Sequence, residues 1–381
     1  MCGSATLPGE PSQSDVRAGV RARAAVTSDP ARRWHPRRVL VTRSARTFAH
    51  GREIAARASA QGVPVVELPG DRLNLDLPDD PRRAYADAKA TLAVVVAPPG
   101  KLRLQPIAPS ADWRVDLAEG CPAHCSYCYL AGSLKGPPIT RAYANLDEIL
   151  GVLPSYLGTG TVTSRNAARA AEGTTFEASC YTDPLALEHL TGSLSAMIAW
   201  FGRWDAEVQL RFTSKFADVT PLLAIDHGGR TRMRVSLNPK AFARFEGGTA
   251  PVADRLTAMR RMADAGYRIG LTVAPIIAAD GWEQAYAGRI AAVAEALEGA
   301  PAADLTVELI THRFTAGSKA VLESWYPGSS LDLGTADRTE KRTKFGSVKH
   351  VYDAATMRRL RGFFEAEIAR MLPQARILYW T

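Results

Sequence analysis

No stretch of the 381-residue chain approaches the ~18 consecutive apolar residues that a membrane-spanning helix requires. The first residues also lack the short apolar run of a secretory signal, so a soluble, cytoplasmic protein without a membrane partner is expected. Cysteine is scarce: Cys2, Cys121, Cys125, Cys128 and Cys180, an odd total with three of the five inside eight residues. A disulfide framework would be denser and even in number, whereas a tight cluster in a reducing compartment points to metal. No internal repeat is visible. Lysine is missing from residues 1–46, yet nine Arg stand there against Glu10, Asp15 and Asp29, a balance of +6 within a chain total of +8. A basic arm on a nearly neutral body suits a polyanion such as DNA, and equally a tail that only aids solubility.

What is present organises into three parts. Residues 1–35, rich in Ala, Arg, Ser and Pro and without periodicity, read as a disordered basic arm. Residues 36–105 read as a small α/β unit: strand RRVLVT, helix Phe48 to Gln61, strand VPVVEL, helix Pro81 to Leu92, and strand LAVVVA. In residues 106–381 strands alternate with helices. The strands are WRVDL, TTFEASC, EVQLRFT, TRMRVSL, RIGLTVAPII and DLTVELI. Helices are expected at 146–157, 188–201, 252–265 and 286–297; Val252, Leu256, Met259 and Met262 recur at helical spacing before Gly266 stops the run. Such alternation predicts a parallel sheet, open or closed into a barrel, with its site at the C-terminal ends of the strands. Residues 158–175 form a long Gly/Thr/Ser-rich loop, and 327–350 a polar segment with clustered Lys341, Arg342, Lys344, Lys349 and His350.

The segment Gly120-Cys121-Pro122-Ala123-His124-Cys125-Ser126-Tyr127-Cys128-Tyr129 carries C-x3-C-x2-C directly after a predicted strand. Three thiolates on one loop can hold three irons of a four-iron four-sulfur cluster and leave the fourth open to a small molecule. S-adenosylmethionine can chelate that iron through its amino and carboxylate groups, and an electron from the cluster then cleaves its C5′–S bond. Zinc on the three cysteines and His124 is the alternative, but four ligands within eight residues crowd one ion.

The motif with its aromatics, CSYCYL, resembles the radical S-adenosylmethionine superfamily. Its surroundings resemble the spore photoproduct lyase family, from about Arg38 to Thr381, through YADAKATLAVVV, RAYANLDEIL, FEASCYTD, RFTSKF, VSLN, VELITHRFT, WYP and KFGSVKHVY. The resemblance implies a partial (β/α)6 barrel with a small N-terminal α/β unit and a C-terminal β-hairpin that wedges DNA. It implies a carbon–carbon lyase that returns 5-thyminyl-5,6-dihydrothymine in damaged DNA to two thymines through a 5′-deoxyadenosyl radical. The implied partners are the damaged DNA and a reducing electron donor of the flavodoxin or ferredoxin type, with the enzyme a monomer.

Residue by residue, the resemblance makes Cys121, Cys125 and Cys128 the cluster ligands and Cys180 the hydrogen donor. Tyr127 and Tyr129 become the radical relay. Thr182 (Ser in the family), Asp183, Lys215, Ser236 and the backbone at Ala274 become the S-adenosylmethionine contacts. Lys341, Arg342, Lys344 and Lys349 are expected on phosphates with His350 and Tyr352 nearby, or as a solvated basic loop, and His312 and Arg313 in the pocket, with a structural histidine the equal alternative. The arm 1–35 and the long loop 158–175 lie outside the family pattern, which leaves a different nucleic-acid lesion open as the substrate.

Overall fold

The computed structural model describes residues 33–133, 136–300, 304–336, 338–342, 346 and 348–381. Residues 1–32 of the expected arm, and Lys344, lie outside the described residues.

Two sheets carry the chain. The smaller has the spatial order Val65–Glu67, Arg38–Val41, Thr91–Val95, Thr140–Tyr143, Ala118–Glu119; its first four strands are parallel and the last is antiparallel. Chain order and spatial order part here. Two of its strands come from beyond residue 105, so the sheet begun by the N-terminal unit is completed by segments on either side of the cysteine loop.

The larger sheet runs Arg376–Trp380, Thr306–Thr311, Arg268–Ile276, Thr231–Ser236, Val208–Ser214, Thr174–Ala178, Ala111–Val115, Gln105–Ile107. All neighbours are parallel except the terminal Gln105–Ile107 pairing. The six strands expected of a partial barrel are present, extended by the parallel C-terminal strand. The hairpin is present as well: Arg338–Arg342 pairs with Val348–Tyr352, which also pairs with Phe314–Thr315.

Strand alternation decides what the barrel contains. Phe176, Leu210, Phe212, Met233, Val235, Leu271, Val307 and Leu309 belong to the main apolar core. The alternate residues Glu177, Arg211, Arg234 and Glu308 are equally buried but charged. They stand only because each is paired. Arg234 joins Glu177 and, at 2.5 Å, Glu308; Arg211 joins Glu308, which also accepts from the Tyr379 hydroxyl at 3.0 Å.

The expected helix 188–201 is two helices, Pro184–Thr191 and Ser193–Arg203, broken at Gly192 in the left-handed region (φ 64°). Among the described residues, two helices of ten or more residues went unforeseen, Ala316–Trp325 and Ala354–Met371. The long loop is pinned by one carboxylate. Asp112 accepts from Val162 N (2.7 Å), Thr163 N (3.3 Å), Thr163 Oγ1 (3.0 Å), Thr175 N (3.0 Å) and Thr175 Oγ1 (2.8 Å).

Candidate active site at the barrel mouth

The cysteine loop follows the short strand Ala118–Glu119 and is shaped by contacts to backbone. Gly120 is left-handed (φ 77°), and a Cβ there would lie 2.2 Å from the Ile139 carbonyl oxygen, so only glycine fits. The Lys89 ammonium donates to the carbonyls of Cys121 and Ala123. His124–Cys125 pairs antiparallel with Glu246–Gly247, and Ser126 N donates to Phe245 O at 2.9 Å. The His124 ring is taken up on one side by the Tyr85 hydroxyl, 3.1 Å from Nδ1. Burial pushes all three thiols upward, that of Cys121 to about 11. Metal binding must displace those protons. Among the described residues, no three His, Cys, Asp or Glu side chains converge on a point where one ion could sit. An iron–sulfur cluster, taking one thiolate per iron, makes no such demand, and the sulfur donor set suits it.

Four of the predicted cofactor residues come together at the ends of adjacent strands. Asp183 caps the helix Pro184–Thr191 through Ala186 N (3.2 Å) and also accepts from Lys215 N (2.7 Å) and Ser214 Oγ (2.9 Å). The Lys215 ammonium donates to Ser236 Oγ (2.7 Å), Ala274 O (3.0 Å) and Glu246 Oε1 (2.9 Å). Thr182 Oγ1 is buried and has no hydrogen-bond partner among the described residues. Such an orphan polar atom suits a site completed by a polar ligand.

Sequence reasoning missed the hub of this cradle. Glu246, 4% exposed, accepts from Lys215, Asn238 Nδ2 (3.0 Å), Arg255 Nη1 (2.7 Å) and the Tyr127 hydroxyl. Lys215 and Arg255 overcome the burial penalty and hold its carboxyl down at about 2. A Glu ahead of a Gly-Gly pair was the one visible signal.

Cys180 follows the strand Thr174–Ala178, next to Ser179, the one non-glycine residue with positive φ (53°) among those described. Ser179 holds that conformation because its N–H donates to Val115 O (2.7 Å) and its Oγ accepts from Leu117 N (2.9 Å). Burial first, then the carboxylates of Asp116 and Glu177, pushes the Cys180 thiol up to about 12; an Arg114 hydrogen bond acts in the opposite direction. At neutral pH the group is therefore S–H. Arg114 also lies over the Tyr181 ring at 4.4 Å and meets Asp116 at 3.3 Å; neither Arg114 nor Asp116 was foreseen.

At the rim, the Arg313 guanidinium sits 5.4 Å over the ring of Tyr129, which is 37% exposed, whereas Tyr127 is buried. Lys341 lies opposite Lys349 across the hairpin and Arg342 opposite Val348, while His350 faces Phe314. Partial burial, with Arg313 and Lys341 close by, lowers the Lys349 pKa, as crowded cations do. Tyr352, expected close to the DNA-contacting residues, belongs to the main apolar core. It is buried, its ring lies 3.8 Å under the Arg338 guanidinium, and its hydroxyl accepts from Ala278 N at 2.9 Å.

The family model for spore photoproduct lyase matches residues 34–381. This chain belongs to the spore photoproduct lyase family. It is 37% identical over 348 residues to the spore photoproduct lyase of Geobacillus sp. (strain Y412MC61), covering 91% of this chain and 98% of that one. Identity to the Bacillus subtilis (strain 168) spore photoproduct lyase is 34%, with the same coverage. Among solved structures, spore photoproduct lyase complexed with dinucleoside spore photoproduct superposes with a TM-score of 0.84 at 35% identity, covering 93% of this chain and 100% of that one. A mutant of spore photoproduct lyase with bound AdoMet and dinucleoside spore photoproduct gives the same three figures for score, identity and coverage of this chain. The family membership takes in the barrel and the hairpin alike, since the matched span runs from before the first strand to the last residue.

Proposed function

We propose that this chain reverses spore photoproduct in DNA to two thymines, using a four-iron four-sulfur cluster and S-adenosylmethionine. The observation that carries the reading is the meeting, at the C-terminal ends of parallel strands, of a three-thiol loop, the Asp183–Lys215–Ser236–Ala274 cradle and a protonated cysteine at position 180. When bound, the cluster supplies the electron that releases a 5′-deoxyadenosyl radical from S-adenosylmethionine.

The chain's own residues do the rest. Cys121, Cys125 and Cys128 hold the cluster. Lys215, placed by Glu246 and Ser236, suits the methionine carboxylate; Thr182 and Asp183 suit its amino group. The S–H of Cys180 would give a hydrogen atom to the carbon radical left on the pyrimidine, and Tyr127 and Tyr129 would relay the radical from its sulfur back to the cofactor side, each losing one hydrogen atom and regaining one, the last from the methyl group of 5′-deoxyadenosine. A lesion inside a duplex cannot reach a barrel mouth, so the dinucleotide must be turned out of the stack, a step that damaged bases make less costly. Lys341, Arg342 and Lys349 would hold the flanking phosphates without choosing sequence, and Arg313 would line the pocket. A reduced flavodoxin or ferredoxin is the proposed electron source, since the cluster needs a one-electron donor. Action in the cytoplasm is proposed because a reducing compartment keeps the cluster thiols free, and action as a monomer because the family resemblance implies it; no described helix is long and apolar enough to cross a membrane.

The test is anaerobic incubation of reconstituted protein with S-adenosylmethionine, dithionite and an oligonucleotide carrying the lesion, followed by mass spectrometry. Two thymines per lesion support the reading. 5′-Deoxyadenosine without thymine release would point to another lesion, and the absence of both thymine release and 5′-deoxyadenosine would refute the radical chemistry.

A further inference from the structure

His312 follows the strand Thr306–Thr311, and its backbone N–H donates to Ile276 O at 2.9 Å. That carbonyl is two residues beyond Ala274, whose own carbonyl receives the Lys215 ammonium, so the histidine's backbone is anchored on a strand that also serves the cofactor cradle. Its ring is 1% exposed. Arg338, the first residue of the hairpin, donates from Nη1 to the His312 carbonyl (3.0 Å) and lies 3.2 Å from the ring Nδ1 through Nη2.

A guanidinium has no acceptor, so Nδ1 must accept and the ring proton resides on Nε2. Burial, reinforced by the Arg338 charge, lowers the imidazole to about 3, which leaves it neutral. Nε2 is buried and has no hydrogen-bond partner among the described residues. The result is a neutral N–H donor of fixed orientation at the end of a barrel strand, with its acceptor still to come. Arg338 cannot easily swing away. Its guanidinium lies 3.8 Å over the Tyr352 ring and 5.7 Å from the Phe314 ring, and Tyr352 is tied to Ala278 N.

We propose that His312 reads a nucleobase edge: its Nε2–H donates to a ring-carbonyl oxygen of the pyrimidine pair, with Arg338 as the positioning residue that fixes the tautomer. The proposal rests on the lesion-reversal reading above. A phosphate would call for a cation, which Arg313 and the hairpin lysines already offer; a carbonyl oxygen is matched by a neutral donor. The hairpin that is to grip DNA thereby also sets the hydrogen-bonding form of a residue at the mouth.

The test uses the anaerobic, cluster-loaded full-length protein and two probes, dinucleoside spore photoproduct and S-adenosylmethionine. His312→Phe should weaken the dinucleoside about tenfold, the scale of one lost hydrogen bond that leaves a partner unpaired, and leave S-adenosylmethionine affinity within about twofold. His312→Gln, whose amide N–H can stand in for Nε2–H, should recover most of the loss. Arg338→Met should weaken the dinucleoside and move the histidine ¹⁵N signals away from the Nε2–H tautomer seen in wild type, a readout that stands even if His312→Phe fails to fold. Dinucleoside affinity unchanged in His312→Phe, a loss confined to S-adenosylmethionine, or a wild-type Nδ1–H tautomer would overturn the proposal. Wild-type turnover measured in the same samples keeps the two readings apart. Turnover with unchanged His312→Phe affinity removes only the histidine assignment, whereas a wild type that neither binds nor converts the dinucleoside removes both.

Discussion

Replacing Glu246 by Gln should be among the most damaging single changes available to this fold. The carboxylate is buried and accepts from Lys215, Asn238, Arg255 and Tyr127. An amide keeps the shape but loses the charge, and it turns an N–H toward donors. Arg255 retains other acceptors, at Ala250 O (2.8 Å), Ser236 O (3.0 Å) and Thr249 Oγ1 (2.7 Å). Among the described residues, Lys215 keeps Ser236 Oγ and Ala274 O as acceptors and loses its carboxylate partner. Breaking one side of such a buried pair costs about 3–5 kcal/mol. With an m-value of ~3 kcal/mol/M or somewhat more for a chain of this size, the urea midpoint should fall by roughly 1 M. Glu365→Gln is the control: its pair with Arg361 spans 2.7 Å, but the two side chains are 49% and 61% exposed. That change should cost less than about 0.5 kcal/mol. Anaerobic urea titration of the two variants beside wild type decides the matter. A Glu246→Gln midpoint no lower than that of Glu365→Gln would refute the argument that this carboxylate organises the mouth.

Three further outcomes follow from the same geometry. Cys180→Ala should keep iron content and 5′-deoxyadenosine formation while yielding aberrant thymine products by mass spectrometry; clean repair would remove Cys180 from the mechanism. The histidine contribution to stability should fall as pH drops from 6.5, because burial lowers His189 to about 4 and His312 to about 3, so the unfolded chain takes up protons there that the folded chain refuses. Their contribution is complete above the ordinary histidine value and is lost progressively toward pH 4 and pH 3. His189→Gln should remove about 2 kcal/mol of the difference between pH 7 and pH 5, and an undiminished difference would contradict this. Asp112→Asn replaces one acceptor oxygen of the carboxylate that pins the loop 158–175 with an N–H, at a cost of ~1–3 kcal/mol. Limited proteolysis should then cut within that loop faster than in wild type, and equal rates would count against the pinning.

The residues themselves determined the parts of this protein in which chemistry or periodicity is local. Three cysteines within eight residues name a metal loop whatever surrounds them, and alternation in EVQLRFT or TRMRVSL marks a strand because side chains two apart share a face. Gly266 stopped a helix as expected, but Gly192 broke one that apolar spacing alone ran through, since a left-handed glycine leaves no trace in the apolar pattern. Tertiary structure alone decided which distant groups meet. Tyr127 and Glu246 are 119 residues apart, Lys89 and Cys121 are 32, and Arg338 and His312 are 26. Parallel strands bring their C-terminal ends side by side however long the helices between them, so the cradle's carboxylate, the lysine behind the cysteine loop and the arginine that orients His312 were ordinary charged residues until the sheet formed.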